Sequence, residues 1–306
     1  MIHVVGEREH SSWEFEEGAE IAPGRSVLKH LGGGNRFEVM LVWDDRLFAI
    51  TVAKVLRPDY AEDERALAEL AEEAEALEQL AHPVLVRGFD AVLDGPHPHL
   101  LIEHLEGPTL RRLLRRHGTL PLEQLLPLAA HVAAALHYMG NEEWVHLDVK
   151  PDNIVMGVPP RLIDLSIARP LERAARLSGP IGTDPYMAPE QCAPGEHPGE
   201  VGPPADVWGL GATLYRAVEG RGAFPRPKGA ADSADPAVRF PQLVEQPVQL
   251  SDDVPTELRE LVERTLARPP EERPTAAELV LELEPLVEEL PRKLAFSRRG
   301  TRSRGY

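Results

Sequence analysis

The hydrophobic period of this chain changes twice, and those changes constrain its fold more than any other feature. From Val27 to Leu56, apolar and β-branched residues dominate and are broken by "GGG" and "WDD", which predicts strands joined by tight turns. From Asp59 to Ala81 the pattern turns helical. Leu67, Leu70, Ala74, Leu77 and Leu80 recur at three- and four-residue steps among nine acidic residues and one arginine, one apolar stripe on an amphipathic helix. The next stretch, "HPVLVRGFDAVLDGPHPHLLIEHL", returns to short apolar runs around a Gly/Pro turn and predicts two more strands. After Gly107 helical patterns prevail, over Leu110 to Arg116, Pro121 to Met139, Asp206 to Glu219, Pro255 to Ala267 and Thr275 to Leu290. Residues 159 to 204 are proline-rich and lack a period; an ordered loop of that length inside a chain implies a functional one. The architecture expected is α+β: a small strand-rich lobe with one helix, then a larger, mainly helical lobe.

A chain of 306 residues has ample length to bury a core in two lobes that share a cleft. The single cysteine, Cys192, excludes an internal disulfide framework. No basic-then-apolar start or long uncharged apolar run marks a signal peptide or an integral membrane segment, so a cytoplasmic location is expected. The net charge of -17 argues against nucleic acid as a partner, because phosphate contacts need clustered Lys and Arg. Beyond Pro291 the balance reverses. Arg292, Lys293, Arg298, Arg299, Arg302 and Arg304 occur without an acid, which predicts a disordered basic tail.

Chemistry-bearing residues follow a fixed order: "LGGGNRFEV" at 31 to 39, Lys54 after "FAITVA", Glu73 on the acidic helix, "HLDVKPDN" at 146 to 153, and "DLS" at 164 to 166. A glycine-rich turn between strands lets backbone N–H groups approach phosphate oxygens with no Cβ in the way. Lys54 at a strand end supplies a cation for phosphates, and a carboxylate on a facing helix holds it in place. The oxygens of Asn153 and Asp164 suit Mg²⁺, while a separate carboxylate, Asp148, can accept the proton of an attacking hydroxyl. Lys29, Lys54, Lys150, Lys228 and Lys293 are the only lysines, and two of them fall where this chemistry needs a cation. For Glu73, helical spacing places it on the side of Leu70, Leu77 and Leu80; Glu72 and Glu69 stay open as alternatives. His97 and His99 are expected in a surface hairpin turn rather than as a metal pair, His146 as a packed histidine, and Trp43, Trp144 and Trp208 in the core.

These landmarks resemble the signature set of the eukaryotic-like, bacterial-type Ser/Thr protein kinases, over about Val27 to about Leu290. "GTDPYMAPE" at 182 to 190, "DVWGLG" at 206 to 211 and "RPPEERPTAAEL" at 268 to 279 extend the match. The resemblance implies a two-lobed fold divided as an extension at 1–25, an N-lobe at 26–105, a C-lobe at 106–290 and the tail at 291–306. It also implies ATP and Mg²⁺ as cofactors and a Ser/Thr-bearing protein as substrate. By the same resemblance, Gly32 and Gly34, with Gly33 between them, cover the ATP phosphates, and Lys54 pairs with Glu73. Asp148 orients and deprotonates the substrate hydroxyl, Lys150 contacts the γ-phosphate, and Thr183 bridges the two. Asn153 and Asp164 hold Mg²⁺. Ile102 is the gatekeeper, Glu103 to Leu105 the hinge, and Val39, Val52 and Val155 belong to the nucleotide pocket. Glu190 and Arg273 form a buried ion pair, and Asp206 caps catalytic-loop N–H groups. With no recognisable sensor, input is expected from a regulatory partner protein.

Three departures modify the expectation. Phe37 replaces the third glycine of the loop, which changes nucleotide affinity without abolishing it. Leu165 and Ser166 replace the usual Phe and Gly after Asp164; leucine keeps an apolar contact, and serine restricts the backbone. Leu147 stands where the pattern has arginine, whose role is to gather an activation-loop phosphate. Its loss implies an enzyme not controlled by activation-loop phosphorylation. The alternative is a pseudokinase, a nucleotide-binding or scaffolding module.

Overall fold

The computed structural model describes residues 11–196 and 199–290. Residues 1–10 and the basic tail at 291–306 lie outside the described residues.

Six strands form one antiparallel sheet: β1 (Glu20–Ala22), β2 (Arg25–Gly33), β3 (Phe37–Asp44), β4 (Ala49–Leu56), β5 (Gly88–Val92) and β6 (His99–Glu103), in the order β1-β2-β3-β4-β6-β5. Strands β3 and β4 pair without a break from Phe37 opposite Leu56 to Asp44 opposite Ala49. Alternation along β3 sends Glu38, Met40, Val42 and Asp44 to a buried face and leaves Phe37 and Val39 on the other. Helix α1 (Glu64–Gln79) starts at Asp63, whose carboxylate accepts the Ala66 N–H at 2.7 Å. It buries Ala66, Leu70, Glu73 and Ala76, steps of four and three residues that make one stripe against the sheet.

The second lobe is built on helices: α2 (Leu110–His117), α3 (Leu122–Asn141), α6 (Pro203–Glu219), the one-turn α7 (Pro236–Arg239), α8 (Thr256–Thr265) and α9 (Ala276–Glu288). Helix α3 packs on α6 and α9, and α6 on α8. All of α6 from Ala205 to Tyr215 is buried, so its side chains are mostly apolar on every side, Asp206 and Thr213 excepted, and each of Trp208, Leu210 and Leu214 contributes roughly 1.5–3 kcal/mol. A glycine sits in this helix where the chain needs it. A Cβ on Gly209 would lie 3.1 Å from both the Cβ and the carbonyl oxygen of Val149, so the loop carrying the polar residues rests directly on α6.

Three expectations are corrected, those for residues 159 to 204, for His99 and for Trp43. Residues 159 to 204 hold more structure than their missing period implied. Strands β9 (Arg161–Leu162) and β10 (Arg169–Pro170) pair with two strands just ahead of the stretch, β10 with β7 (Trp144–Val145) and β9 with β8 (Ile154–Val155), followed by α4 (Leu171–Ala174) and α5 (Pro189–Cys192). Two-residue strands are too short to leave an alternation. His99 is not on a surface turn but is wholly buried; its Nδ1 bonds to the His97 carbonyl at 2.7 Å and its Nε2 to Arg25 Nη1 at 2.9 Å. Arg25 also reaches Asp44 at 3.0 Å and pairs with Asp90, so a buried polar network ties β2, β3, β5 and β6. Trp144 and Trp208 lie in the core, whereas Trp43 is half-buried, edge-on to the exposed Phe48 at 5.0 Å. Residues 11–25, expected as an extension, pack on the first lobe: Trp13 and Phe15 cover the core of Ile21, Val27, Met40 and Val42.

Candidate active site

The floor of the cleft is the loop after β7. Asp206, in the first turn of α6, accepts the backbone N–H groups of His146 and Leu147, both at 2.7 Å. That support holds Leu147 at φ 64°, a left-handed conformation that costs a leucine on the order of 1 kcal/mol or more. The turn points the next residue into the cleft. Asp148 Oδ1 accepts the Thr183 hydroxyl at 2.8 Å, and its Oδ2 accepts Lys150 Nζ at 2.6 Å and Asn153 Nδ2 at 3.1 Å. Lys150 Nζ also donates to Thr183 Oγ1 at 2.6 Å, closing a triangle of Asp148, Lys150 and Thr183.

Strand β4 and α1 supply the back wall. Lys54 Nζ donates to both oxygens of Glu73, at 2.7 and 3.0 Å, and to Asp164 Oδ1 at 3.1 Å. Of the three acids that helical spacing left open, Glu73 is the buried one; the Glu72 and Glu69 side chains are 43% and 34% exposed and face arginines. Burial opposes the Lys54 charge, but Glu73 and then Asp164 outweigh it and hold the ammonium protonated. Burial likewise opposes ionisation of Asp164, yet Lys54 and the Ser166 hydroxyl bring its pKa down to about 2. Two carboxylates and one ammonium thus share a pocket: Lys54 and Asp164 are held in their charged forms, while burial pushes the Glu73 carboxyl up against the pull of Lys54.

The roof is the turn from β2 to β3. Gly33 has φ 156°, and a Cβ there would stand 2.2 Å from the Phe37 carbonyl oxygen, so only glycine fits. Gly32 (φ 122°) also has positive φ, while Gly34 does not. The Phe37 ring lies 4.7 Å from Lys54 Nζ and closes the pocket on the side of α1.

Between roof and floor is a cleft of about 600 Å³. Gly33, Gly34, Val39, Val52 and Lys54 line it from above, and Glu73, Ile102, Glu103 and Leu105 from behind. Asn153, Val155 and Asp164 line it from below. Gly32 does not line it, and Asp148, Lys150 and Thr183 stand beside it, joined through Asn153. Farther down, Glu190 and Arg273 meet in a bidentate pair at 2.6 and 2.9 Å with neither side chain exposed.

Some of the site's supports carry no motif. Gln191 Nε2 donates to the carbonyls of Leu147 and Ile181, at 2.9 and 3.1 Å, stitching the segment around Ile181 to the loop after β7. Arg161 pairs with Glu103 of the hinge at 3.3 Å. Asp184, beside Thr183, is held by Arg226 at 2.9 Å and Arg239 at 3.2 Å. The only signal of Gln191 was its place directly after Glu190; the partners of Asp184 are 42 and 55 residues away.

Comparison with known proteins agrees with this geometry. A family model described as a protein kinase domain matches residues 25–282. The chain belongs to the protein kinase family. A probable serine/threonine-protein kinase, PkwA of Thermomonospora curvata, is 34% identical over 271 residues, covering 85% of this chain and 34% of its own. The serine/threonine-protein kinase PknB of Mycobacterium leprae is 31% identical over 266 residues, 83% of this chain and 41% of its own. PknL of Mycobacterium tuberculosis, also a serine/threonine-protein kinase, is 32% identical over 272 residues, 86% and 66% respectively. The chain is therefore a kinase domain of the bacterial Ser/Thr type, spanning about a third to two-fifths of the first two relatives. Among the described residues of this kinase domain, no helix is long and apolar enough to cross a membrane.

Proposed function

We propose that this kinase domain is catalytically competent and moves the γ-phosphoryl group of Mg-ATP to a Ser or Thr hydroxyl of a protein. The observation that carries the reading is Asp148: an 8% exposed carboxylate held on both oxygens by Thr183, Lys150 and Asn153, beside a cleft whose lysine, acid and amide are already engaged. The residues present fit the cofactor. Among the described residues no cluster of three His, Cys, Asp or Glu could hold a metal alone. Asn153 and the ionised Asp164 are two hard oxygen donors, the number suited to Mg²⁺, which keeps waters and takes substrate phosphates as its other ligands. The metal, when bound, neutralises charge on the transferred group.

The rest is positioning by this chain's own groups. Asp148 orients the acceptor hydroxyl and takes its proton. Lys150, held between Asp148 and Thr183, places a positive charge where negative charge is transferred, and Lys54 does so deeper in the cleft. The hinge from Glu103 to Leu105 and the valines at 39, 52 and 155 give the cleft an apolar slot for a planar base. A protein substrate and a regulatory partner belong to this reading.

Control by activation-loop phosphorylation is absent from the proposal because of Leu147. It is 3% exposed, in the same apolar core that Leu177 and Ile181 pack against. A leucine packed under the loop supports an ordered segment that needs no phosphate to hold it.

Purified protein incubated with Mg²⁺, labelled ATP and a generic protein substrate should transfer label, and Asp148→Asn should lower transfer by about 10²- to 10⁴-fold. Thermal stabilisation by ATP with no transfer from either protein would replace this reading with that of a nucleotide-binding module.

A further inference from the structure

The roof carries two charged groups that the chemistry of the floor leaves unexplained. Glu38 follows Phe37 and pairs with Gly33 across the β2–β3 turn, yet its side chain is 1% exposed and turned away from the cleft. Its Oε1 accepts the Trp13 N–H at 2.9 Å, and its Oε2 accepts the Ser12 hydroxyl at 3.0 Å and lies 3.2 Å from His30 Nε2. Burying a carboxylate is costly unless donors surround it, and here two of the donors come from a segment 25 and 26 residues away. Arg57, just past β4, makes the second link. Its Nε donates to the Gly34 carbonyl at 2.9 Å, its Nη1 to the Ser11 carbonyl at 2.8 Å, and its backbone N–H to the Arg36 carbonyl at 2.8 Å.

Residues 11–15 are themselves anchored. The Trp13 indole N–H donates to the Leu56 carbonyl at 2.7 Å, and its ring meets His97 edge-on at 4.6 Å. The Ser11 hydroxyl accepts the Asp59 N–H at 3.2 Å. One end of this segment is thus fixed to the sheet, and its polar groups reach the phosphate loop from outside.

We propose that residues 11–15 are a strap that sets the height of the glycine-rich loop over the cleft, with Glu38 and Arg57 as the positioning residues that transmit it. A loop of three glycines has a large conformational freedom to lose on ordering. A planar guanidinium shared between Ser11 and Gly34 removes part of that freedom before any ligand arrives, which is how preorganisation raises affinity. The strap lies outside the catalytic chemistry, so anything that displaces it tunes nucleotide binding without touching Asp148 or Lys54.

The consequence for nucleotide rests on the reading of the cleft as an ATP site; the consequence for the loop does not. The test therefore measures both, in the full chain. Amide hydrogen exchange over residues 31–37 without ligand, the dissociation constant of a fluorescent ATP analogue with Mg²⁺, and the melting temperature are compared for wild type, Arg57→Ala, Arg57→Lys and the double variant Ser12→Ala with Glu38→Gln. Arg57→Ala and the double variant should exchange about tenfold faster over 31–37, with β4 to β6 unchanged, and bind the analogue about tenfold more weakly, the scale of one or two hydrogen bonds. Arg57→Lys keeps the charge near Glu38 but cannot span Ser11 and Gly34, so it should stay fast. Unchanged loop exchange in Arg57→Ala overturns the strap. So does faster exchange spread evenly over the whole first lobe, which would make the segment a general stabiliser, and so does full protection in Arg57→Lys. If even wild type fails to bind the analogue, the ATP reading falls while loop exchange still decides the strap.

Discussion

Floor and roof of the cleft are held in opposite ways. The catalytic loop rests on the buried helix α6, its N–H groups on Asp206 and Val149 against Gly209, with the Glu190–Arg273 pair locked underneath. The glycine-rich turn is not seated on a buried helix but hangs from polar ties: Arg36 to Glu69 on the outer face of α1, the Gly34 carbonyl to Arg57 and, through Glu38, residues 12 and 13. The difference assigns tasks. Under the proposed function, a base must be kept in one geometry through every turnover, whereas a phosphate cover must admit and release its ligand, so rigidity belongs below and adjustable tethering above.

The contrast breaks first, and with the largest effect, at Arg273. Its guanidinium donates to Glu190 and to the carbonyls of Ala267, Pro204 and Arg268, and it stacks 4.9 Å from the Trp208 ring. Arg273→Ala strands a fully buried carboxylate, and chemical denaturation should show a loss of about 3–5 kcal/mol. A loss under 1 kcal/mol would mean that the floor is not locked as described. Gly33→Ala comes next. Its Cβ would press on the Phe37 carbonyl at a φ that L-residues avoid, costing the loop about 1–3 kcal/mol. Nucleotide titration should show weaker binding by about 10- to 100-fold with melting little changed; an equal fall in melting would show roof and core to be one cooperative unit.

A smaller effect is expected from pH at the outer side of the first lobe. Burial lowers the pKa of His99 below its ordinary 6.5; the hydrogen bond to the His97 carbonyl and the Asp90 charge oppose the shift, and the Arg25 charge reinforces it. The unfolded chain then takes up a proton as pH falls through 6.5 and the folded chain does not, so stability present above that pH is lost below it. Melting followed from pH 7.5 to 5.5 should show this decline, and His99→Gln should flatten it; an equally steep decline in the variant would assign the titration elsewhere.

What was legible in the sequence divides along the same line. The floor's residues sit close together in sequence, as in Asp148, Lys150 and Asn153, and their shared spacing carries over to the geometry that joins them. Five principal helices and the strands from β2 to β6 were likewise visible, because each is long enough to show its period, whereas the three residues of β1 fell in the expected extension. The roof's ties were not, since Ser12 to Glu38 and Ser11 to Arg57 are single contacts between residues with no periodic relation. His99 was misplaced for a related reason: a histidine beside prolines in a turn looks exposed until Arg25, 74 residues away, supplies its partner. Residues 161–170 hid their strands because pairs of two residues carry no pattern.

The smallest expected effect is the most informative about control. Ser178 and Thr183 are the only hydroxyl side chains between Ile167 and Pro185, and Thr183 is already committed to Asp148 and Lys150. Ser178 opens onto an adjoining cleft whose charged walls are mixed, Arg36, Arg65 and Arg169 alongside Glu69, Glu72 and Glu73. A phosphate there meets repulsion as well as attraction, and the position that would gather it is Leu147, buried in the core. Ser178→Ala should therefore keep phosphotransfer within about twofold of wild type, a change near the scale of ordinary surface substitutions. Leu147→Arg should not create a switch; it places an unpaired guanidinium in the apolar core and should lower stability by several kcal/mol. If Ser178→Ala instead loses more than about tenfold in transfer at unchanged melting, the activation segment is held by charge after all, and the floor is adjustable in the way assigned here only to the roof.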